Sequence, residues 1–215
     1  MKFDLFDDTQ NSILGAQDYA GFKQALQNSN CTKCPLSSSR THIVVDRGNP
    51  RSKVLFIGEG PGENEDRQAK AFVGRAGQLL DQLLKELGFD TNTESLIINV
   101  VKCRPPDNRQ PVQKEVDACH PFLKKQMELV RPRLVVLLGA TALKHLIPDK
   151  GNFSMKEEAG KLFDHADFPG IKLMVLYHPA YILRDPRQKP IMIEHLKRFK
   201  ACYTELITEG TISQQ

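Results

Sequence analysis

Four of the five cysteines are spaced like ligands of a metal centre. Cys31 and Cys34 form a C-x2-C pair, and Cys103 and Cys119 follow much later as C-x15-C. Four thiolates from three segments suit a tetrahedral zinc ion or an iron–sulfur cluster, since both accept four cysteine ligands. The alternative is a set of reduced, partly buried thiols, because cysteine often packs as a small hydrophobic residue. Cys202 lies in a late helical stretch, where we expect it simply to pack.

The composition is that of a globular intracellular protein. The 215 residues are 40% apolar and 26% charged, and we expect one domain with an ordered core from about 12 to 208 and a loose C-terminal tail. No apolar run reaches the ~18 residues that a membrane helix needs. The first residues carry no signal-peptide pattern, so we expect a cytoplasmic protein with reduced thiols. The net charge of +4 is compatible with nucleic-acid binding but too small to indicate it.

Four short, almost continuously apolar runs predict strands covered on both faces, as in a parallel sheet. These runs are residues 54–57, 96–101, 134–138 and 173–177. Helical spacing is found in residues 16–28, 76–87, 113–130, 140–147 and 191–206, with Gly88 as a C-cap. The alternation predicts an α/β three-layer sandwich around a central four-stranded, mostly parallel sheet.

Chemistry-bearing residues follow three of these strands. In open parallel sheets the working site lies beyond the carboxyl ends of the strands. The first strand runs into the glycine-rich segment 58–66, the second contains Asn99 and runs into residues 102–109, and the fourth runs into His178. We therefore expect three loops to converge on one edge of the sheet.

Four segments carry a resemblance to a known family. They are GEGPGENED (58–66), AFVGRAGQLLD (71–81), NVVKCRPPDNRQP (99–111) and HPAYILR (178–184). In this order, and with this cysteine spacing, the chain resembles the family 4 uracil-DNA glycosylases, the thermostable-type enzymes that contain an iron–sulfur cluster, over about residues 20–205. One departure is Ala71, where the family usually has proline, and we expect it to loosen the loop before Phe72.

The resemblance implies a uracil-DNA glycosylase-like fold and an enzyme of base-excision repair. Such an enzyme hydrolyses the N-glycosidic bond of a flipped-out deoxyuridine, which releases uracil and leaves an abasic site. Phe72 would stack on the base, and the Asn99 carboxamide would pair with O4 and N3–H of uracil, a pattern that cytosine reverses. His178 would donate a hydrogen bond to O2 and stabilise the departing anion.

The first motif supplies the remaining catalytic candidates. Glu59 and Glu65 would hold the attacking water or stabilise the cationic sugar, and their roles stay undivided at this stage. Glu65 could also crowd C5 and so exclude the thymine methyl group. Gly58, Gly60 and Gly62 would let the backbone approach the base and the water closely.

The resemblance also implies partners and a cofactor. Uracil-containing DNA would be the partner of a monomeric protein without membrane contact. Basic side chains of the second and third motifs would contact phosphates, and an apolar wedge would fill the gap left by the flipped nucleotide. The four-cysteine set would hold a [4Fe–4S] cluster with a structural and DNA-docking role, with zinc as the fallback. The phosphate candidates are Lys102, Arg104, Arg109 and Arg184, the wedge candidates Tyr181, Ile182 and Leu183, and the ligands Cys31, Cys34, Cys103 and Cys119.

Other functions are less well supported by the sequence. Residues 104–111 are short and contain no histidine, unlike the inserted loop of the branch that captures uracil covalently, so turnover is favoured. A non-catalytic nucleic-acid-binding module that keeps the pocket stays open as the second hypothesis. The interpretation of GEGPG as a phosphate-binding loop is weakly supported, because no Walker lysine-serine/threonine pair or dinucleotide fingerprint accompanies it.

Overall fold

The computed structural model describes the backbone of residues 11–212 and the side chains as far as Leu206. The last three residues of the expected loose tail lie outside this part, and the final helix continues to Ile212. The expectation of a single domain over the whole chain stays a prediction. No helix in the described ranges is long and apolar enough to cross a membrane.

Six strands form one sheet in the order β1-β3-β2-β4-β6-β5. The four central strands are mutually parallel, which confirms the mostly parallel α/β sheet. The predicted number of four was wrong, because β1 and β5 are two-residue edge strands, paired antiparallel, that carry no apolar run to reveal them. The strands are β1 Arg47–Gly48, β2 Val54–Gly58, β3 Leu96–Asn99, β4 Leu134–Leu138, β5 Leu162–Phe163 and β6 Lys172–Leu176.

The five predicted long helices are present, with ends shifted by a few residues. Three further helices of four to six residues, α2, α6 and α7, are too short to show an amphipathic period in the sequence. Gly88 adopts φ +67° after α3, as expected for a C-cap. The helices are α1 Tyr19–Asn28, α2 Glu63–Gln68, α3 Arg75–Glu86, α4 Gln113–Val130, α5 Ala140–Leu146, α6 Met155–Glu158, α7 Pro179–Arg184 and α8 Lys189–Ile212.

The sheet is buried on both faces, which confirms the three-layer arrangement. Leu55 and Ile57 of β2 pack on one face with residues of α1, α4 and α5. Val54 and Phe56 of the same strand face the other side, with α3, α7 and α8. Because successive strand residues point to opposite faces, a strand covered twice must be apolar throughout, as these strands are.

Candidate active site

A cavity of about 870 Å³ opens at the carboxyl edge of the sheet. Its walls come from the connections that follow β2, β3, β4 and β6, so all four parallel strands contribute. Phe72 lines the cavity. Gly58 and Asn99 are not among the lining residues, but Gly58 lies against both the Phe72 ring and the Asn99 side chain. The sequence-predicted residues that do line it are Glu59, Gly60, Gly62, Glu65, Phe72, Arg109, His178, Tyr181 and Arg184.

The Phe72 ring and the Asn99 carboxamide meet over Gly58. A Cβ atom at Gly58 would lie 2.5 Å from the Phe72 ring and 2.6 Å from Asn99 Oδ1. Gly58 and Asn99 are also register partners at the ends of β2 and β3. Only glycine leaves room for this approach.

The Asn99 side chain is buried without a hydrogen-bond partner. It is 1% exposed, and within the described part of the chain neither its Oδ1 nor its Nδ2 has a partner. Leaving a buried polar group unpaired costs about 1–3 kcal/mol, and such groups in native structures call for an explanation. A ligand that offers both an acceptor and a donor to this carboxamide supplies one.

The His178 ring has a defined tautomer. Its Nδ1 accepts a hydrogen bond from the Ala180 backbone N–H at 3.1 Å and caps α7, so a neutral ring carries its proton on Nε2. Burial, together with the charge of Arg184, lowers the pKa of His178 to about 4. The ring is therefore neutral at pH 7, with Nε2–H available as a donor.

His178 is held close to Phe72 from the neighbouring strand end. The two ring centroids are 5.6 Å apart at an interplanar angle of 44°. Gly139, at φ +91°, follows β4, and a Cβ there would lie 2.9 Å from His178 Cβ. Phe72, Asn99 and His178 thus form one continuous group at the strand ends.

Glu65 is tied to the loop that carries Phe72. Its carboxylate is 9% exposed and accepts a hydrogen bond from the Gly74 backbone N–H at 2.6 Å. Gly74 is the N-cap of α3, where a negative charge is favourable. Phe72 itself has φ +54°, a strained conformation for a non-glycine residue. The hydrogen bond between Glu65 and Gly74 stabilises the loop in this conformation.

The expectation that Ala71 loosens this loop is not met. Ala71 is fully buried, and its backbone N–H donates to the Asp46 carbonyl at 3.2 Å. Proline has no N–H and could not make this bond. The substitution therefore adds a backbone contact immediately before Phe72.

Glu59 has a different environment from Glu65. It is partly exposed in the cavity, and its Oε2 accepts a hydrogen bond from the Thr141 hydroxyl at the start of α5. Sequence reasoning missed Gly139 and Thr141 because the connection after β4 carries no recognised motif, and it missed Tyr177 because this residue was counted with the strand that ends before His178. Their positions directly after strand ends could have indicated that they lie at the site, since sites in such sheets lie beyond the carboxyl ends of the strands.

Two residues predicted to contact DNA are buried, and these assignments are corrected. Lys102 is 1% exposed because its ammonium turns inward and donates to the Asn99 carbonyl at 2.6 Å. Burial lowers the pKa of Lys102 to about 8, against an opposing effect of the Cys119 thiol. Ile182 is 2% exposed because it lies on the face of α7 that packs into the core.

The other predicted DNA contacts are accessible to different degrees. Leu183 is 36% exposed, and Arg184 is exposed at the cavity. Tyr181 stacks against Tyr177 with ring centroids 5.1 Å apart. Two arginines are already engaged: Arg109 donates two hydrogen bonds to Glu115, at 2.9 and 2.6 Å, and Arg104 donates to Asn108 at 2.8 Å.

The four cysteines of the predicted ligand set line a second, small cavity of about 20 Å³. Cys103 and Cys119 are buried, and Cys31 and Cys34 are partly exposed. Burial raises the pKa of Cys103 to about 12 and of Cys119 to about 11. A metal bound here would have to displace these protons, since thiolates are the ligands.

Two N–H groups already face the sulfur atoms. Arg40 Nη1 lies 3.5 Å from Cys103 Sγ, and the Lys102 backbone N–H donates to Cys119 Sγ at 3.3 Å. Hydrogen bonds to sulfur are a recurrent feature of iron–sulfur sites. Across the described residues, no three Cys, His, Asp or Glu side chains are grouped as ligands of a single metal ion. The donor set nevertheless fits an all-thiolate group, because four cysteines line one cavity.

Comparisons with known proteins agree with this geometry. A family model described as the uracil DNA glycosylase superfamily matches residues 45–206. The type-4 uracil-DNA glycosylase of Thermotoga maritima is 42% identical over 173 residues, which cover 80% of this chain and 88% of the relative. The type-4 enzyme of Sulfurisphaera tokodaii is 38% identical over 174 residues and 79% of each chain. The type-5 uracil-DNA glycosylase of Pyrobaculum aerophilum is 29% identical over 181 residues, 70% of this chain and 78% of the relative. This chain therefore belongs to the uracil-DNA glycosylase superfamily, within its type-4 group.

Proposed function

We propose that this protein is a monofunctional uracil-DNA glycosylase of base-excision repair. It hydrolyses the N-glycosidic bond of deoxyuridine in DNA, releases uracil and leaves an abasic site. The observation that carries the proposal is the buried, unpaired Asn99 carboxamide beside the Phe72 ring. The type-4 relatives, which share most of the chain, support it.

Base selection follows from the chemistry of that carboxamide. The nucleotide is extruded from the duplex, at a cost of a few kcal/mol, and its base stacks on Phe72. Asn99 Nδ2 donates to O4 of uracil and Oδ1 accepts from N3–H. Cytosine presents the opposite donor and acceptor, so it leaves buried groups unpaired, at about 1–3 kcal/mol each.

Bond cleavage requires stabilisation of the leaving group. As the C1′–N1 bond breaks, the electron pair moves onto uracil and charge develops on O2. His178 Nε2–H donates to that oxygen, and because the ring is already neutral and oriented by Ala180, no proton has to move first. A preorganised donor of this kind contributes roughly 3–4 kcal/mol.

The two glutamates take separate roles in this proposal. Glu59, which lies in the cavity and is oriented by Thr141, holds the attacking water, accepts its proton and stabilises the cationic sugar. Glu65 is a positioning residue, because its carboxylate is engaged by Gly74 and fixes the Phe72 loop. The different environments of the two carboxylates support this division.

The four-cysteine site is proposed to hold a [4Fe–4S] cluster. Its ligands are Cys31, Cys34, Cys103 and Cys119, which line one cavity. The cluster ties the segment after α1 to α4 and to the residues that follow β3, and it supplies no step of the hydrolysis. Its position beside the second motif also suits a role in docking DNA.

The proposal also includes the contacts with DNA, the oligomeric state and the location of the protein in the cell. Leu183 and Tyr181 form the wedge and Arg184 contacts a phosphate, because Tyr181 and Arg184 line the cavity and Leu183 is exposed beside them. Arg104 and Arg109 contribute to the field around the second motif. We propose a monomeric, cytoplasmic protein.

Uracil release tests the proposed function directly. An oligonucleotide with one deoxyuridine should be cut by alkali after incubation with the protein, and the same oligonucleotide with thymidine or deoxycytidine should stay intact. His178→Ala should lower kcat by about 10²–10³-fold, since it removes the donor to O2. No scission by the wild type would leave only a binding module, and a wild-type rate in the variant would remove His178 from the mechanism.

The pKa of His178 also predicts how stability depends on pH. The ring binds a proton near pH 6.5 in the unfolded chain but only near pH 4 in the folded one. Stability should therefore be complete above pH 6.5 and fall as the pH drops toward 4. His178→Asn keeps an N-cap acceptor without a titrating ring, so its thermal midpoint should fall less between about pH 7 and about pH 4.5. If the thermal midpoint of the wild type and that of His178→Asn fell equally over this pH range, the lowered pKa of His178 would be contradicted.

Paired substitutions separate the roles of the glutamates. Glu65→Gln keeps an oxygen that accepts from the Gly74 N–H, whereas Glu65→Ala removes this acceptor. Because Phe72 is then misplaced, Glu65→Ala should lower kcat/KM by about 10²-fold. Glu59→Gln, which removes the charge in the cavity, should lower kcat itself. A Glu65→Gln variant as inactive as Glu65→Ala would show that the carboxylate acts by its charge.

The visible spectrum tests the cofactor. Purified protein should be brown and contain iron, and Cys103→Ala should lose the colour and unfold at a lower temperature, since metal binding is coupled to folding. Cys202→Ala, which lies in the α8 core away from the four-cysteine cavity, is the control and should keep the spectrum. A colourless wild type with one zinc per chain would overturn the iron assignment.

A further inference from the structure

Lys102 lies between the four-cysteine cavity and Asn99. Its side chain is almost fully buried, and its ammonium donates to the Asn99 carbonyl at 2.6 Å. Its own backbone N–H donates to Cys119 Sγ at 3.3 Å, and Cys103 is the next residue. One residue therefore contacts the cysteine site with its backbone and the end of β3 with its side chain.

The peptide unit between Asn99 and Val100 is held from both sides. Its N–H, on Val100, donates to the Gly58 carbonyl at 2.9 Å. Its C=O, on Asn99, accepts from the Lys102 ammonium. The first of these bonds continues the pairing of β2 with β3, in which Gly58 and Asn99 are register partners. Asn99 is the last residue of β3, and the Lys102 ammonium supplies the partner of its carbonyl. The plane sets the direction in which the Asn99 side chain leaves the backbone.

A buried ammonium is costly unless negative charge lies nearby. The one acceptor that the described residues offer Lys102 is a neutral carbonyl. Lys102 also lines the cavity that the four cysteines share, and its backbone N–H holds Cys119 Sγ. A group that fills this cavity would therefore contact Lys102 and restrict the position from which its ammonium reaches the end of β3.

We propose that Lys102 is a positioning residue that orients the Asn99 carboxamide and couples it to the occupancy of the four-cysteine site. The inference rests on the proposed function, in which Asn99 reads the base. It replaces the phosphate contact that the sequence suggested for Lys102. The residue acts through Asn99 and touches neither uracil nor the sugar.

A double-mutant cycle tests this coupling. Lys102→Met, which keeps the length of the side chain without its charge, should lower kcat/KM on uracil-containing DNA by about 10- to 100-fold, the loss of one charged hydrogen bond. In an Asn99→Ala background the same change should cost less than about threefold, because coupled residues are not additive. All variants are compared at equal iron per chain. Equal losses in both backgrounds would overturn the proposal.

A binding measurement gives a readout that does not depend on turnover. Oligonucleotides with 2′-fluoro-deoxyuridine, whose glycosidic bond resists cleavage, should bind Lys102→Met more weakly than wild type, and the difference should vanish without the Asn99 carboxamide. Iron content should also fall in Lys102→Met when the protein is challenged with a chelator, and unchanged retention of iron would contradict the coupling to the cysteine site.

The controls keep the outcomes distinct. Lys172→Met removes an ion pair with Asp164 at the opposite end of the sheet and should change neither rate nor binding. If Lys102→Met does not fold, Lys102→Gln, which keeps a neutral donor, takes its place in the same cycle. A wild type that releases no uracil refutes the proposed function, whereas an active wild type with additive losses refutes only the role of Lys102.

Discussion

The site depends on the close approach of an aromatic ring and a carboxamide over a residue without a side chain. Any Cβ at Gly58 would collide with both Phe72 and Asn99, so the glycine at the end of β2 sets the distance between the ring and the carboxamide. Parallel pairing of β2 with β3 fixes Asn99 beside it. This geometry leaves a donor and an acceptor buried and unpaired, a cost that the core tolerates and that a bound base would relieve under the proposed function.

The surrounding contacts hold this costly arrangement in place. Glu65 anchors the loop after Phe72 through Gly74, and Ala71 anchors the loop before it through the Asp46 carbonyl. The Asp46 carboxylate in turn accepts from the Tyr19 hydroxyl of α1, so helix α1 is linked to this loop through Asp46. A strained Phe72 backbone persists because the structure around it determines its position from several directions. On the other side of the site, Lys102, which lines the four-cysteine cavity, donates to the Asn99 carbonyl.

The sequence predicted the parts of the molecule that depend on local pattern. The apolar runs identified all four parallel strands, and the motifs identified Phe72, Asn99 and His178, which the structure brings together at the strand ends. Edge strands of two residues and helices of four to six residues carry too few residues for a period to emerge. The direction of a side chain could not be predicted from the sequence. A lysine in a basic motif is expected to be exposed, but the Lys102 side chain points into the core. Ile182 and Leu183 are neighbours in the sequence, but they lie on different faces of α7. Ile182 is therefore buried, whereas Leu183 is exposed.

The central claim is that the unpaired carboxamide is reserved for the edge of uracil. A crystal structure of the protein with uracil bound tests it most directly. The account predicts Asn99 Nδ2 and Oδ1 within about 3 Å of O4 and N3, and His178 Nε2 within about 3 Å of O2, with the base stacked on Phe72. Uracil bound elsewhere, or at this place with the carboxamide still unpaired, would contradict it.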